Sequence, residues 1–424
     1  MASNITNSAP VKVLIVGGSY GGLAAALNLQ DLCHGQAPRG GPTVEKDHHD
    51  DVEKARIPLD ITIVDERDGF FHLIGSPLAF ASEEYAEKAW IKYEDIPALR
   101  SPGIRTLHGS VQSIDPQRKV ATFVARGMGL QTSELQYDYL VAAAGLRRVW
   151  PVVPQSLRRK QYIFETSEHI RAASTGRHGV VVVGGGAVGI EMAAELKLVE
   201  PSLKVTLVHS RDRLLSAEPL PDELKDKSLE LLLEANVDTL LCHRLDSTEE
   251  ITDDSGNKCF RIRFTNGHTM MADYVIMAVS RSVPSTSFLP KDALDAEGYV
   301  RIQSSLEFPA DAANSADHFA IGDLVRWSGI KRCGGAMHMG YLAANNIHQR
   351  IQERRTPGMK PEFKNLDEIP PMIGLAVGKK AVSYWPQSGV SSGEDVMKLF
   401  FGDDLGFTIC WNHLRLGGDK VVQI

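Results

Sequence analysis

Two glycine-rich words in this sequence are built for chemistry: Gly17-Gly18-Ser19-Tyr20-Gly21-Gly22 and Gly184-Gly185-Gly186-Ala187-Val188-Gly189. Each follows an apolar, β-branched run, Val11–Val16 and Val180–Val183. Each opens an Ala/Leu-rich stretch that predicts a helix, over 23–32 and from Gly189 through Leu198. Strand, tight turn and helix in that order make a cradle for a pyrophosphate. The first Gly permits the turn, the second lets backbone amides approach the phosphates, and the third lets the helix pack on the strand. The helix start offers unpaired N–H groups and the positive end of its dipole to the anion. Gly184, Gly186 and Gly189 match at all three places. In the first copy Gly17 and Gly22 match, and Ser19 takes the middle place, small and with a hydroxyl that can reach phosphate.

The residue ending the next strand separates the ligands. Asp65 closes the strand predicted at 61–64, where a carboxylate accepts a bond from an adenosine ribose 2′-hydroxyl. That suits FAD, whose ribose is unphosphorylated. The matching place after Val205–Val208 holds His209, followed by Ser210 and Arg211. No acid stands there to repel a 2′-phosphate, and Arg211 or Arg213 can pair with one. The second site is open to NADPH as well as NADH; the alternative is a surface His and Arg that touch nothing.

Further candidates lie outside the two words. Asp323 follows Gly322 at the end of the strand predicted at 318–321, where it can accept bonds from ribityl hydroxyls or simply close a turn. Gly334-Gly335 lead into a helix predicted over 337–352. Its start near Ala336 and Met337 would aim a positive dipole end at a flavin ring and stabilise the anionic reduced form. Gly145 ends the loop after Tyr139–Ala142 and joins the expected cofactor-binding set. Glu191 and Glu195 share a helix face; Glu191 either orients a nicotinamide carboxamide, the one catalytic candidate, or is a surface carboxylate near a positive helix end. Phe70-Phe71-His72 with Pro77 is a candidate wall for an electron acceptor. His48 and His49 sit among acids in a polar segment that reads as an exposed insertion, so no metal is expected.

Positioning these residues requires two βαβ units. Gly17 to Asp65 spans 48 positions and Gly184 to His209 spans 25, so the first unit carries 23 extra residues. The polar segment 34–59 accounts for them. The fold class is therefore α/β: two Rossmann-like three-layer dinucleotide-binding domains, plus a small α+β C-terminal domain with strands predicted at 372–377, 381–384 and 397–401. The length of 424 residues suits two or three domains. A net charge of −7 without a long basic run argues against nucleic acid as a partner. No apolar run is long enough to span a bilayer, and Ala2 does not offer a myristoylation signal, so neither a transmembrane nor a lipid anchor is expected. Five scattered cysteines form no CxxC pair and suit reduced thiols in the cytoplasm.

Together the words VLIVGGSYGG, VVVVGGGAVGIEMAAELK, VTLVHS, FAIGD and AMHMGYLAANNI resemble the flavoproteins with two dinucleotide-binding domains, in the apoptosis-inducing-factor-like branch, over about residues 11–410. The resemblance implies an FAD domain in two segments, 1–149 and 287–360, around an NAD(P)H domain at 150–286, with 361–424 as a C-terminal domain. It implies that Gly17, Ser19, Gly22, Asp65, Val111 and Asp323 line FAD, Val111 through its backbone. It implies that Gly184, Gly186, Gly189 and Glu191 serve the nicotinamide dinucleotide. The activity implied is hydride transfer from NAD(P)H via FAD to a small-molecule acceptor such as a quinone. The residues leave two other readings open: a biosynthetic flavin oxidoreductase acting on a soluble aromatic or polyketide-like metabolite, and a flavin-bound signalling protein with little turnover.

Overall fold

A computed structural model describes residues 9–39, 56–127, 131–174, 176–279 and 282–418. The His48-His49 pair and most of the polar insertion lie outside the described residues.

Val11–Val16 is the centre of the first sheet, paired in parallel with Leu59–Asp65 on one side and Tyr139–Ala142 on the other. Its β-branched side chains are buried on both faces, as a central parallel strand requires. His318–Ala320 extends the parallel sheet beyond Tyr139–Ala142, although about 175 residues separate them in sequence. On the other side Ile104–Asp115 runs parallel to Leu59–Asp65, then bends through a bulge at Val111/Ser113 and pairs antiparallel with Val120–Ala125. Thr132–Gln136 completes seven strands.

The second sheet repeats the plan with four parallel strands, in the order Asp238–Leu240, Val205–Val208, Val180–Val183, Tyr274–Met277. A three-stranded antiparallel sheet, Leu245–Thr252, Lys258–Phe264 and Thr269–Ala272, covers one face. Ile262, Phe264 and Ala272 pack there against Val181, Val183 and Val208. The chain crosses to this unit and back through one antiparallel ribbon, Leu146–Arg147 against Val283–Pro284.

The termini of several elements differ from expectation. The first helix runs Tyr20–Cys33, and the last helix of the two larger units runs Cys333–Arg355. The last helix therefore starts before Ala336 and Met337, and the Ala336 amide already donates to the Arg332 carbonyl at 3.1 Å. Gly334 and Gly335 lie in the first turn, where two open glycines on a helix start disguise the boundary. The small C-terminal unit has antiparallel strands Ile373–Val377, Lys380–Trp385 and Gly389–Gly393. The strand expected at 397–401 is a helix, Glu394–Phe400. Met397 and Phe401 repeat at four-residue spacing, a helical period, and Glu394 and Asp395 complement the dipole at its start. Among the described residues no helix is long and apolar enough to cross a membrane.

The first and last helices cross at very short range. A Cβ on Gly340 would sit 2.5 Å from the Gly21 carbonyl oxygen and 2.7 Å from Ala24 Cβ. A Cβ on Gly21 would sit 3.2 Å from the Ala336 carbonyl oxygen. Gly340→Ala is expected to push these backbones apart and cost about 1–3 kcal/mol. Chemical denaturation should show an earlier midpoint for Gly340→Ala than for Gly335→Ala, whose Cβ meets nothing within 4 Å. Equal midpoints would remove the close crossing as a source of stability.

Candidate functional site

Each glycine loop combines residues the chain itself needs with residues it does not. Gly17 has φ +110°, and a Cβ there would lie 2.4 Å from the Ala143 carbonyl oxygen; at Gly22 a Cβ would lie 1.8 Å from the Gly17 oxygen. Gly184 (φ +125°) and Gly189 repeat both constraints. Gly186 is different, since nothing of the protein lies within 4 Å of its Cβ position. Its absent side chain leaves room outside the fold, where a phosphate would approach. Ser19 and Gly186 are the N-caps of their helices, extended and without a side-chain cap bond, so the first-turn amides keep their capacity for an anion.

The strand-end residues hold the loops. Asp65 Oδ2 accepts from the Gly18 amide at 2.7 Å and Oδ1 from the Arg67 amide at 2.8 Å. Burial pushes its carboxyl up, against the opposing pull of Arg67 and the Gly18 amide. His209 repeats the device: its Nδ1 accepts from the Gly185 amide at 3.1 Å. The proton must then sit on Nε2, which faces Ser216 Oγ at 3.0 Å. Burial lowers its pKa. Arg211 is exposed, and among the described residues no carboxylate pairs with it; Arg213 is bound to Asp222 and Asp226.

A cavity of about 590 Å³ opens from the first loop, lined by Gly17, Asp65, Val111, Arg148, Val149 and Ser285 among others. Val111 borders it at the bulge of the long strand. Gly145 (φ +65°) sits at the chain crossing, and its carbonyl accepts from the Ser285 amide at 3.0 Å. Asp323 faces Arg148 at 3.4 Å across 175 residues of sequence. Gly21 does not face this cavity, since it packs against the last helix. Nor do Ala336 and Met337 form the start of that helix, which belongs to Cys333, Gly334 and Gly335.

Several contributors escaped the sequence reading. Arg148 had no motif. Tyr93 donates to the Gly18 carbonyl at 2.9 Å and fills the place a Gly18 side chain would take. The Gly322 amide donates to Met339 Sδ at 3.4 Å, tying the Asp323 turn to the last helix. The aromatic wall divides: successive strand residues point to opposite faces, so Phe71 packs with Trp90 and Tyr162 while Phe70 joins Tyr20. His72 is fully buried between Tyr20 and Leu405, donating from Nε2 to the Leu405 carbonyl at 3.0 Å, and burial lowers it to about 4. Pro77 is buried in a short helix, Ser76–Ala79.

Glu191 and Glu195 turn toward the C-terminal unit. Glu191 Oε1 accepts from the Ala376 amide at 3.3 Å, and Glu195, only 1 % exposed, lies by Gly378 with Oε1 unpaired. Burial raises both carboxyls to about 8, and repulsion from Glu195 adds to the rise at Glu191.

The family model described as pyridine nucleotide-disulphide oxidoreductase matches residues 11–340. Oxidoreductase OXR1 of Ajellomyces capsulatus is 50 % identical over 417 residues, covering 98 % of this chain and 90 % of the relative. Human ferroptosis suppressor protein 1 is 26 % identical over 365 residues, covering 85 % and 87 %. Among solved structures, the sulfide:quinone oxidoreductase of Aquifex aeolicus aligns with a TM-score of 0.64 at 17 % identity, covering 96 % of this chain and 92 % of that one.

The two acids set a pH dependence. A carboxyl whose folded pKa is raised binds its proton more tightly when folded, so its stabilisation is complete below about 4.5 and is lost as pH rises through about 8. Wild-type protein should lose melting temperature across that window, and Glu195→Gln, which cannot ionise, should lose less. Parallel melting curves for the two proteins from pH 6 to pH 9 would count against neutral acids at this interface.

Proposed function

The chain belongs to the pyridine nucleotide-disulphide oxidoreductase family, and from that premise we propose that it reduces a quinone-like acceptor with electrons drawn from NAD(P)H. It is an FAD-dependent oxidoreductase with NAD(P)H as co-substrate. The observation that carries the proposal is the pair of uncapped helix starts, Ser19 and Gly186, on two separate parallel sheets of one chain. Two cradles suit one resident and one exchanging dinucleotide. The quinone-like acceptor draws support from the name of the structural neighbour from Aquifex aeolicus and from the implied branch, and the cytoplasm is the proposed compartment.

FAD, when bound, supplies a carrier that accepts a hydride and passes its electrons on. The residues of this chain do the rest. The amides of the first helix start hold the pyrophosphate, and Asp65 keeps acceptor capacity for ribose hydroxyls beyond the two amides it already receives. Asp323 accepts ribityl hydroxyls, with Arg148 holding its carboxylate in place. The amides at Cys333–Gly335, rather than Ala336 and Met337, would offer the positive end of that helix to the ring. The Gly186 loop holds the second pyrophosphate, and Arg211 reaches a 2′-phosphate. Val149 and Val283, each about half exposed, line the cavity beside the chain crossing and offer an apolar edge on which a flat nicotinamide could rest. Glu191, protonated at neutral pH, can donate to the carboxamide oxygen.

Asp323→Ala should sharply lower the FAD-to-protein absorbance ratio after purification; an unchanged ratio removes the ribityl assignment. The acceptor is tested by following NAD(P)H oxidation with a panel of short-chain quinones, dioxygen and artificial dyes. Quinone turnover well above the dioxygen rate is expected, and turnover with dyes alone would overturn the quinone reading. In the same assay Arg211→Ala should raise KM for NADPH more than for NADH.

A further inference from the structure

A second cavity, of about 750 Å³, lies between the hairpin that pairs Ile104–Asp115 with Val120–Ala125 and the start of the helix Arg159–Ser174. Neither glycine loop lines it. It shares Ser110, Gln112, Gln155 and Leu157 with the cavity that opens from the first loop, so one wall serves both. Its far side carries two arginines, Arg126 just after the hairpin and Arg158 just before the helix.

The neighbouring arginines are engaged. Arg67 donates to the Pro154 carbonyl, Arg147 to Glu66, Arg148 to Asp323, and Arg159 to the carbonyls of Trp90 and Glu87. Among the described residues, the guanidinium groups of Arg126 and Arg158 have no hydrogen-bond or ion-pair partner. Glu165, on the adjoining helix, does not serve them, since its Oε2 accepts from both the amide and the hydroxyl of Ser156. The two cations are nonetheless held at one place. The Arg126 amide donates to the His108 carbonyl at 3.0 Å, and Arg158 Nη2 stands 3.6 Å from the Cβ position of the next residue, Gly127. Like charges gathered at a concavity with no carboxylate between them raise each other's energy. An anion there removes that cost and meets two planar forks, the geometry that suits phosphate oxygens.

The other lining groups fit the organic part of such an anion. Gln112 Nε2 donates to Ser110 Oγ at 2.6 Å, so the serine keeps its proton for another acceptor and the glutamine keeps its oxygen. Gln155 spends its nitrogen on the Arg148 and Val153 carbonyls and likewise keeps its oxygen. Gln161 offers both ends of its amide. Neutral donors and acceptors of this kind read the edge of a heterocycle. Phe164, one turn after Gln161 on the same helix face, is 68 % exposed and presents a flat ring next to the cavity. The volume is in the range of small-molecule sites.

We propose that this cavity binds a nucleoside monophosphate as a second ligand, with the phosphate on Arg126 and Arg158 and the base beside Phe164. Through the shared wall its occupant also steadies the neighbouring cavity. A bound nucleotide therefore slows the loss of FAD, a consequence that rests on the neighbouring cavity holding the FAD adenosine, and FAD strengthens nucleotide binding in return.

The test titrates FAD-loaded full-length protein by calorimetry, with oxidised NAD in excess to fill the Gly186 cradle. The probes are AMP, adenosine and inorganic phosphate. AMP is expected to bind one site more tightly than phosphate, and adenosine to give no heat. Arg126→Gln and Arg158→Gln should each weaken AMP roughly tenfold. Both side chains are exposed, so these variants should keep the wild-type FAD content and melting temperature. Phe164→Ala should weaken AMP several-fold and leave phosphate unchanged. Flavin release after dilution, followed by fluorescence, should slow when AMP is added to the wild type and not to the double arginine variant. Absence of AMP heat at millimolar concentration would overturn the proposal, as would equal AMP binding by the wild type and the double variant. Adenosine binding as tightly as AMP would remove the arginine role. Loss of AMP binding in Arg211→Ala would move the nucleotide to the second cradle and overturn the site. Unchanged flavin release with AMP bound would overturn the shared wall. Calorimetry reads the nucleotide and absorbance reads FAD loading, so failure of either part is seen separately.

Discussion

The close crossing of the first and last helices is the constraint on which the rest depends. Gly21, Ala24 and Gly340 bring two helix backbones so near that a Cβ at Gly340 would collide with the Gly21 carbonyl and one at Gly21 would be tight against the Ala336 carbonyl. That crossing joins sequence positions more than three hundred residues apart. It ties the helix that follows the Gly17 loop to the helix that begins at Cys333. Met339, one residue before Gly340, takes the Gly322 amide and so fixes the turn that carries Asp323. A wider crossing would shift Asp323 relative to Asp65, although neither residue lies in the contact. Among the described residues the second unit has no equivalent. Its loop is placed by its own sheet and by the ribbon between Leu146–Arg147 and Val283–Pro284, so the two cradles can keep separate internal geometry while sharing one crossing point.

The glycines show why local pattern is a good but incomplete guide. Gly17, Gly22, Gly184 and Gly189 are demanded by the chain, because positive φ or a carbonyl within 3.0 Å forbids a side chain. Gly186 is not demanded by the chain at all, and that makes it the most informative of them. Gly18 is needed for Tyr93, and Gly21 for the last helix. A single run of glycines therefore serves turn, tyrosine packing and helix crossing at successive positions. Spacing alone assigns all of them to one ligand; the contacts divide them.

What could be read from the sequence was whatever a strand and its turn carry within about thirty residues. The strands Val11–Val16, Tyr139–Ala142, Val180–Val183 and Val205–Val208 stand where the apolar runs predict, because a doubly covered parallel strand admits few other residues. Asp65 and His209 were visible as strand-end residues, but not their shared task of receiving the second loop amide, since hydrogen-bond geometry has no sequence signature. The helix start at Cys333 was hidden by Gly334-Gly335, whose poor helix propensity is outweighed by tertiary packing further along. Arg148 and Tyr93 were illegible for a different reason. Each depends on where a distant element docks, and no local period encodes that.

The C-terminal unit is the smallest part of the chain, yet it sets the charge of the neighbouring site. Glu191 and Glu195 lie on the helix whose start, in the proposed function, faces a pyrophosphate. Ionised, they would place two negative charges on the flank of an anion-binding helix, and in a partly buried setting such charges interact at several kcal/mol rather than the roughly 1 kcal/mol of open water. The strand Ile373–Val377 and the turn at Gly378 remove them from solvent, and burial outweighs the single backbone bond each receives, so both stay protonated near neutral pH. The same unit holds His72 through Leu405. Neutral acids and a neutral buried histidine share one cause, which is the docking of about sixty residues against the two larger units. The helix dipole at Gly186 is thereby left as the dominant charge facing the loop, and that polarity is what a dinucleotide site requires.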